Sequence, residues 1–95
     1  MKTIVEKRVY KEAGKLPKYV QELAAQQIEV LKKASSLSNI PNVVPMEGTE
    51  EPFYRLKFSN YRFILYYDIE NNILKVLSLT HRKDSYKKHN LPWRK

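Results

Sequence analysis

The sequence predicts a small α+β domain in which a long amphipathic helix packs on an antiparallel sheet. The first half of the chain shows the three- and four-residue apolar spacing of a helix, and the second half resembles short strands. Two pairs of turn-forming residues, Ser59-Asn60 and Asn71-Asn72, divide that second half into three strands. A helical half followed by a strand-rich half is typical of the α+β class. The 95 residues provide for a single domain, spanning 1–95, with one core.

The N-terminal half is predicted to contain a short strand and two helices. Thr3–Lys7 alternates weakly, and Arg8–Gly14 can form one or two helical turns that end at the glycine. The clear helix runs from Pro17 to Ala34, because proline suits the first helical position and an apolar stripe follows it. We expect that stripe to lie on one face of the sheet. Its members are Leu16, Val20, Leu23, Ala24, Gln27, Ile28, Val30, Leu31 and Ala34.

The C-terminal half is predicted to be an irregular connection followed by a three-stranded meander. Three prolines, one glycine and several small polar residues interrupt the helical pattern over Ser35–Pro52. The asparagines in the two connecting pairs suit the positive φ that two-residue hairpin turns require. The three antiparallel strands are Phe53–Phe58, Tyr61–Asp68 and Ile73–Thr80.

The composition indicates a basic, folded protein and excludes several kinds of chemistry. The chain has 18 Lys or Arg against 10 Asp or Glu, a formal net charge of +8, which indicates a polyanionic partner. Hydrophobic residues make up 42% of the chain, which is enough for a core. The absence of cysteine excludes a disulfide scaffold and a thiol nucleophile, and with only 2 histidines we expect neither a metal site nor a cofactor.

The distribution of apolar and charged residues indicates the cellular location of the protein and the end of the chain that binds its polyanionic partner. No apolar run is long enough to cross a membrane, and the charged start lacks the features of a signal peptide, so we expect a cytoplasmic protein with no membrane partner. From His81 onward six Lys or Arg stand against a single acid, Asp84. This segment ends in a basic tail, 87–95. Aromatic residues between the cations can stack on bases.

The two hairpin turns, taken as two-residue loops, predict a basic row across the three strands. They place Lys57 opposite Arg62 and Arg62 opposite His81, with Arg55 two residues along the same face. The other face is apolar and suited to receive the helix, so the row lies on the open side of the sheet. Exposed strands also carry cations simply to prevent aggregation, and a slip of one residue in either hairpin moves every side chain to the other face.

The predicted row has the groups that metal-free phosphate chemistry needs. Lys57 and Arg62 can hold phosphate oxygens, the arginine with two parallel hydrogen bonds. His81 can give and take a proton near neutral pH, and Tyr86 can stack on a base or donate a proton. Clustered carboxylates, which a two-metal nuclease uses, are missing from the sequence. A nuclease of this kind would use the 2′-hydroxyl of its substrate as nucleophile, which implies RNA.

Three stretches of the C-terminal half resemble the RelE/ParE superfamily of bacterial toxins. They are Tyr54-Arg55-Leu56-Lys57, Asn60-Tyr61-Arg62-Phe63-Ile64-Leu65-Tyr66, and Leu77-Ser78-Leu79-Thr80-His81-Arg82-Lys83-Asp84-Ser85-Tyr86. Members of the superfamily are the toxic halves of type II toxin–antitoxin modules, and they have a small sheet with helices on one face. The N-terminal half resembles them only in layout. Thr80 stands where the family pattern usually has glycine.

The resemblance implies a function and a set of site residues. The RelE branch implies a toxin that cleaves mRNA in the ribosomal A site by attack of the 2′-hydroxyl on the adjacent phosphate, with the ribosome and an acidic antitoxin as partners. We therefore expect catalytic roles for Lys57, Arg62, His81, Arg82 and Tyr86. The expected RNA-binding residues are Arg55, Lys83, Lys87 and Lys88.

Two alternatives remain open from the sequence. The ParE branch shares the fold but inhibits DNA gyrase and cuts no RNA. A non-catalytic RNA- or ribosome-binding module would use the same cations merely to hold phosphates. The joint presence of Lys57, Arg62, His81 and Tyr86 favours the nuclease over the gyrase inhibitor.

Overall fold

The computed structural model describes residues 1–46 and 52–83, which contain two α-helices, a short 3-10 helix (Leu37–Asn39) and five strands. The strands form one sheet in the order β1-β5-β4-β3-β2, antiparallel throughout except that β1 runs parallel to β5. The predicted α+β class is therefore confirmed. In chain order the elements are β1 (Lys2–Val5), α1 (Lys7–Ala13), α2 (Lys18–Lys33), β2 (Val43–Pro45), β3 (Phe53–Phe58), β4 (Tyr61–Asp68) and β5 (Ile73–His81).

Both predicted helices are present, displaced by about one residue at their ends. Helix α2 begins after Pro17, whose carbonyl accepts hydrogen bonds from the N–H groups of Val20 and Gln21. It ends at Ala34, which has an extended backbone. In the described part of the chain, neither helix has the length and hydrophobicity that crossing a membrane requires.

The core lies between the helices and one face of the sheet, as the apolar stripe predicts. Val20, Ala24 and Leu31 of α2 are buried in it, and α1 contributes Val9. The sheet contributes apolar side chains from its three longest strands, at alternate positions on β3 and β4 as the pleat requires and with one irregular step on β5. These are Leu56, Phe58, Phe63, Leu65, Leu74, Val76 and Leu79.

The predicted irregular connection contains a strand that the sequence did not reveal. Strand β2 forms the edge of the sheet and pairs antiparallel with β3, Val43 lying opposite Leu56. It follows Asn42, which has a positive φ of 66°. A three-residue strand is too short to produce an alternating pattern, and the surrounding prolines favour a loop assignment.

The β3–β4 hairpin has the predicted register. Phe58 pairs with Tyr61, so that Ser59 and Asn60 form a two-residue turn and Lys57 lies opposite Arg62. Ser59 rather than the asparagine has the positive φ, 53°. The first half of the predicted basic row is confirmed.

The β4–β5 connection is longer than the sequence predicts. Strand pairing ends at Asp68 and Ile73, so the turn comprises the four residues 69–72. The Asp68 carboxylate accepts hydrogen bonds from the side-chain Nδ2 of Asn71 at 2.9 Å and from its backbone N–H at 3.2 Å. These hydrogen bonds hold the pKa of Asp68 below its ordinary value. A side chain that organises its own turn thus overrides the shorter turn that Asn71-Asn72 suggests.

A β-bulge changes the register a second time in the middle of these two strands. Leu65 pairs with Val76, but the preceding residue on β4, Ile64, pairs with Ser78. Leu77 is therefore an extra residue on β5 that has no pairing partner on β4. Because side chains alternate between faces, one extra residue exchanges the two faces for everything that follows it.

Candidate nucleic-acid interface

The register beyond the bulge separates His81 from the predicted basic row. Arg62 lies opposite Thr80, and His81 lies opposite Tyr61, whose side chain is on the face that the helices cover. The predicted pairing of Arg62 with His81 is wrong. Its failure follows from the longer turn and the bulge, which together displace β5 by one residue at this point.

His81 instead contacts the aromatic residues and the first helix. Its ring meets Tyr61 edge to face, with 5.2 Å between the ring centroids. Its Nδ1 accepts a hydrogen bond from the backbone N–H of Lys83 at 3.2 Å. A cleft of about 300 Å³ borders the ring on the helix side, between α1 and the end of β5; Arg8, Glu12 and Lys15 are among the residues that line it.

Arg82, the first residue after β5, continues the pairing with the start of β4. Its backbone N–H donates a hydrogen bond of 2.7 Å to the carbonyl of Asn60, which extends the β4–β5 ladder by one residue pair. From the alternation of side chains along β5 we infer that the Arg82 side chain lies on the face of Thr80, Arg62 and Lys57. We call these residues with Arg55 the basic face: Arg55, Lys57, Arg62, Thr80 and Arg82.

The two confirmed cations of the basic face differ in their exposure. Lys57 is exposed on β3, whereas Arg62, on the central strand β4, is only 7% exposed. Arg55 lies opposite the buried Ile64, two residues along β3 from Lys57. The face opposite the helices is thus less open than predicted. Because β4 is the central strand, the strands on both sides of it flank Arg62 and limit the directions from which a ligand can approach its side chain.

Thr80 is a member of the basic face that the sequence analysis missed as a site residue. It is buried, and its Oγ1 has no hydrogen-bond partner among residues 1–46 and 52–83. A desolvated hydroxyl without a partner is unfavourable, and such groups occur where a ligand supplies the missing bond. One signal for Thr80 is present in the sequence, namely the departure from glycine at this position of the family pattern.

The remaining candidates lie at the edges of the described chain or outside it. Lys83 is exposed and lies two residues beyond the end of β5. The predicted roles of Tyr86, Lys87 and Lys88 fall on residues outside the described ranges. Within those ranges, no three His, Asp or Glu side chains are grouped so that they could hold a metal ion.

The arrangement suits an anion with several oxygens. Lys57 and Arg62 lie directly opposite each other on this face. A phosphate group placed over them can be bound by both, with the arginine binding two oxygens and the lysine acting as a point charge. Successive phosphates of a single strand can extend the same interaction to Arg55 and Arg82.

Among the solved structures that share this fold are two RelE–RelB complexes and an isolated RelE toxin. A chain of the archaeal RelE–RelB complex from Pyrococcus horikoshii has a TM-score of 0.68 and 24% identity, over 85% of this chain and 93% of that one. The RelB–RelE antitoxin–toxin complex from Methanococcus jannaschii gives 0.69 and 19%, over 90% and 96%. The isolated E. coli RelE toxin gives 0.57 and 23%, over 84% and 82%.

These similarities establish the fold of the chain. No protein-family model matches the sequence, and no curated protein sequence does. The chain has the fold of the RelE toxins, which confirms at the level of structure the resemblance that the sequence motifs carry.

Proposed function

We propose that this protein is the toxin of a type II toxin–antitoxin pair and cleaves mRNA on the ribosome, in the cytoplasm. The observation that carries the proposal is the basic face itself, in which Lys57, Arg62 and Arg82 share one side of a RelE-like sheet. The likeness to the isolated E. coli RelE toxin supports the same assignment. The net charge of +8 is suited to a polyanionic substrate.

The proposed reaction is a phosphoryl transfer within the RNA strand. The 2′-oxygen attacks the adjacent phosphorus and the bond to the 5′-oxygen breaks, which leaves a 2′,3′-cyclic phosphate and a 5′-hydroxyl. The proton that the 2′-hydroxyl loses is balanced by the proton that the leaving oxygen gains. Arg62 and Arg82 stabilise the charge that develops on the phosphate oxygens.

We assign proton transfer to Lys57, whereas the sequence predicted His81 for this role. His81 lies on the other face of the sheet, so the proposal gives it no step. Of the cations on the basic face, Lys57 is the one that can exchange a proton, because a guanidinium stays protonated in proteins. Its exposure allows it to reach a hydroxyl of the substrate.

The proposed partner in the resting cell is an acidic antitoxin. A protein that cuts cellular mRNA requires an inhibitor, and the similar chains come from RelE–RelB complexes. The charge of +8 makes an acidic inhibitor electrostatically complementary. A small acidic protein encoded beside this chain is the expected genomic observation.

The proposal can be tested by primer extension on mRNA after a brief pulse of expression. The intact chain is compared with Arg62→Gln and with Lys75→Ala as a matched control. Lys75 lies on the same sheet face as Arg62 but pairs with Tyr66, toward the other end of the sheet. We expect cuts within codons for the intact chain and the control, and none for Arg62→Gln.

Two other results would identify the alternatives. Intact transcripts together with DNA breaks or altered supercoiling would indicate a gyrase inhibitor. Intact transcripts with arrested translation would indicate a module that binds RNA or ribosomes without cutting. Thermal unfolding of each variant shows whether a loss of function reflects a loss of the fold.

A further inference from the structure

The β-bulge at Leu77 determines which residue at the end of β5 joins the basic face. If the pairing of Leu65 with Val76 continued without interruption, Asn60 would lie opposite His81. The side chain of His81 would then be on the face of Arg62, and Arg82 would be on the helix face. Because of the extra residue, His81 lies instead on the helix face and Arg82 on the face of Arg62. Bulges next to active sites commonly redirect a side chain in this way.

One carboxylate on the first helix holds the strand directly after the bulge. Glu12 Oε1 accepts a hydrogen bond from the backbone N–H of Leu79 at 2.9 Å, and Oε2 accepts one from Ser78 Oγ at 3.2 Å. Arg8, one turn earlier on α1, donates from Nε to Oε2 at 3.3 Å. The three bonds fix the carboxylate against a fully buried residue, since Ser78 is 0% exposed.

The position of this carboxylate follows from where the first strand ends. Strand β1 pairs with β5 only as far as Val76, whose carbonyl accepts a last hydrogen bond from the N–H of Glu6. Beyond that point β5 has no neighbouring strand on this side among the described residues. Glu12 supplies the acceptor that a further strand residue would have given to Leu79.

We propose that Glu12 is a positioning residue that maintains the bulged register and so directs Arg82 to the basic face. The bonds to Ser78 and Leu79 form only when these residues follow the bulge in the observed register, because the Leu79 N–H then points away from β4 and toward α1. This inference rests on the proposed function only for its catalytic consequence. The structural part, the register of residues 78–82, is independent of it.

The test compares Glu12→Ala and Glu12→Gln with Glu22→Ala, an exposed glutamate on α2 that serves as the control. Glutamine keeps an oxygen that can accept from Leu79, so it should restore what alanine removes. Two readouts report the register by NMR spectroscopy. They are the amide exchange rate of Leu79 and the nuclear Overhauser effect between the Tyr61 and His81 rings, whose centroids are 5.2 Å apart.

For Glu12→Ala we expect Leu79 exchange to accelerate by about tenfold or more, because a hydrogen bond to a charged group is lost. The contact between the Tyr61 and His81 rings should weaken. The kcat of RNA cleavage should fall by about 100-fold with little change in KM, as expected when a group in the site is displaced by about 1 Å. Glu12→Gln and Glu22→Ala should retain all three properties.

Several outcomes would overturn the inference. The first is that Glu12→Ala keeps both the Leu79 exchange rate and the contact between the Tyr61 and His81 rings. The second is that Glu12→Ala changes both of these readouts but leaves kcat intact. If Glu12→Ala does not fold, Ser78→Ala removes a single bond to the carboxylate and must show the same changes in smaller measure. If the intact chain cleaves no RNA, the proposed function fails, while the two NMR readouts still decide whether Glu12 sets the register.

Discussion

Two consecutive residues, His81 and Arg82, point to opposite faces of the sheet and so provide a direct test of the proposed site. Arg82→Ala removes a cation from the basic face, whereas His81→Ala removes a ring from the face that the helices cover. A hydrogen bond to a charged group contributes about 1.5–3 kcal/mol. Because about 1.36 kcal/mol corresponds to a tenfold change in rate, Arg82→Ala should lower kcat/KM by about 10- to 150-fold.

The expected effect of His81→Ala is on stability rather than on activity. The variant loses the edge-to-face contact with Tyr61, which has 5.2 Å between centroids and an interplanar angle of 83°. Such a pair contributes about 0.5–1.5 kcal/mol, so the free energy of unfolding should fall by that amount. The kcat/KM for RNA should stay within about threefold of the intact chain, since no contact to the substrate is removed.

The assay measures cleavage of an mRNA bound to ribosomes, with urea unfolding of each variant in parallel. The two substitutions serve as controls for each other because they are adjacent in sequence. If His81→Ala, still folded, lost more activity than Arg82→Ala, the assignment of faces and with it the proposed site would be refuted.

Three further predictions concern the buried residues and the β4–β5 turn. Thr80→Val should raise the free energy of unfolding by about 1 kcal/mol in urea titrations, because it removes a buried hydroxyl that has no partner in the described chain, and a lower stability would contradict this. Phe63→Ala should lower the free energy of unfolding by about 3–5 kcal/mol, because the ring is fully buried; a loss below about 1 kcal/mol would argue against its place in the core. Asn71→Ala should raise the pKa of Asp68 toward its ordinary value, measured by NMR titration. Because the Asp68 pKa is lowered in the fold, its stabilising contribution is present above the ordinary pKa and disappears as pH falls through the lowered one; an unchanged pKa in the variant would refute the assigned cause.

The elements that could be predicted from the sequence are those with local signals. The apolar stripe of α2 and the position of Pro17 define that helix to within a residue of its ends. The pair Ser59-Asn60 likewise fixes the register of the β3–β4 hairpin, because a two-residue turn leaves only one way to pair the strands. From that register the opposition of Lys57 and Arg62 follows without any knowledge of the tertiary structure.

The register of β5 could not be predicted, because it depends on one contact within the turn and on another to a distant helix. Its turn depends on Asp68 accepting hydrogen bonds from Asn71, and its bulge is next to a carboxylate that is 67 residues away in sequence from Leu79. Neither contact produces a periodic pattern along the strand. The sequence therefore predicted His81 on the face of Arg62, whereas His81 lies opposite Tyr61 on the helix face.

The distribution of cations distinguishes ligand binding from protection against aggregation. Cations that block the pairing of sheets with one another belong on edge strands, which here are β1 and β2. Lys57 and Arg62 instead face each other on β3 and the central strand β4. The buried hydroxyl of Thr80, which has no hydrogen-bond partner among the described residues, lies directly opposite Arg62. Cations away from the sheet edges and a desolvated hydroxyl beside them, on the face opposite a well-packed core, are expected where an anion binds.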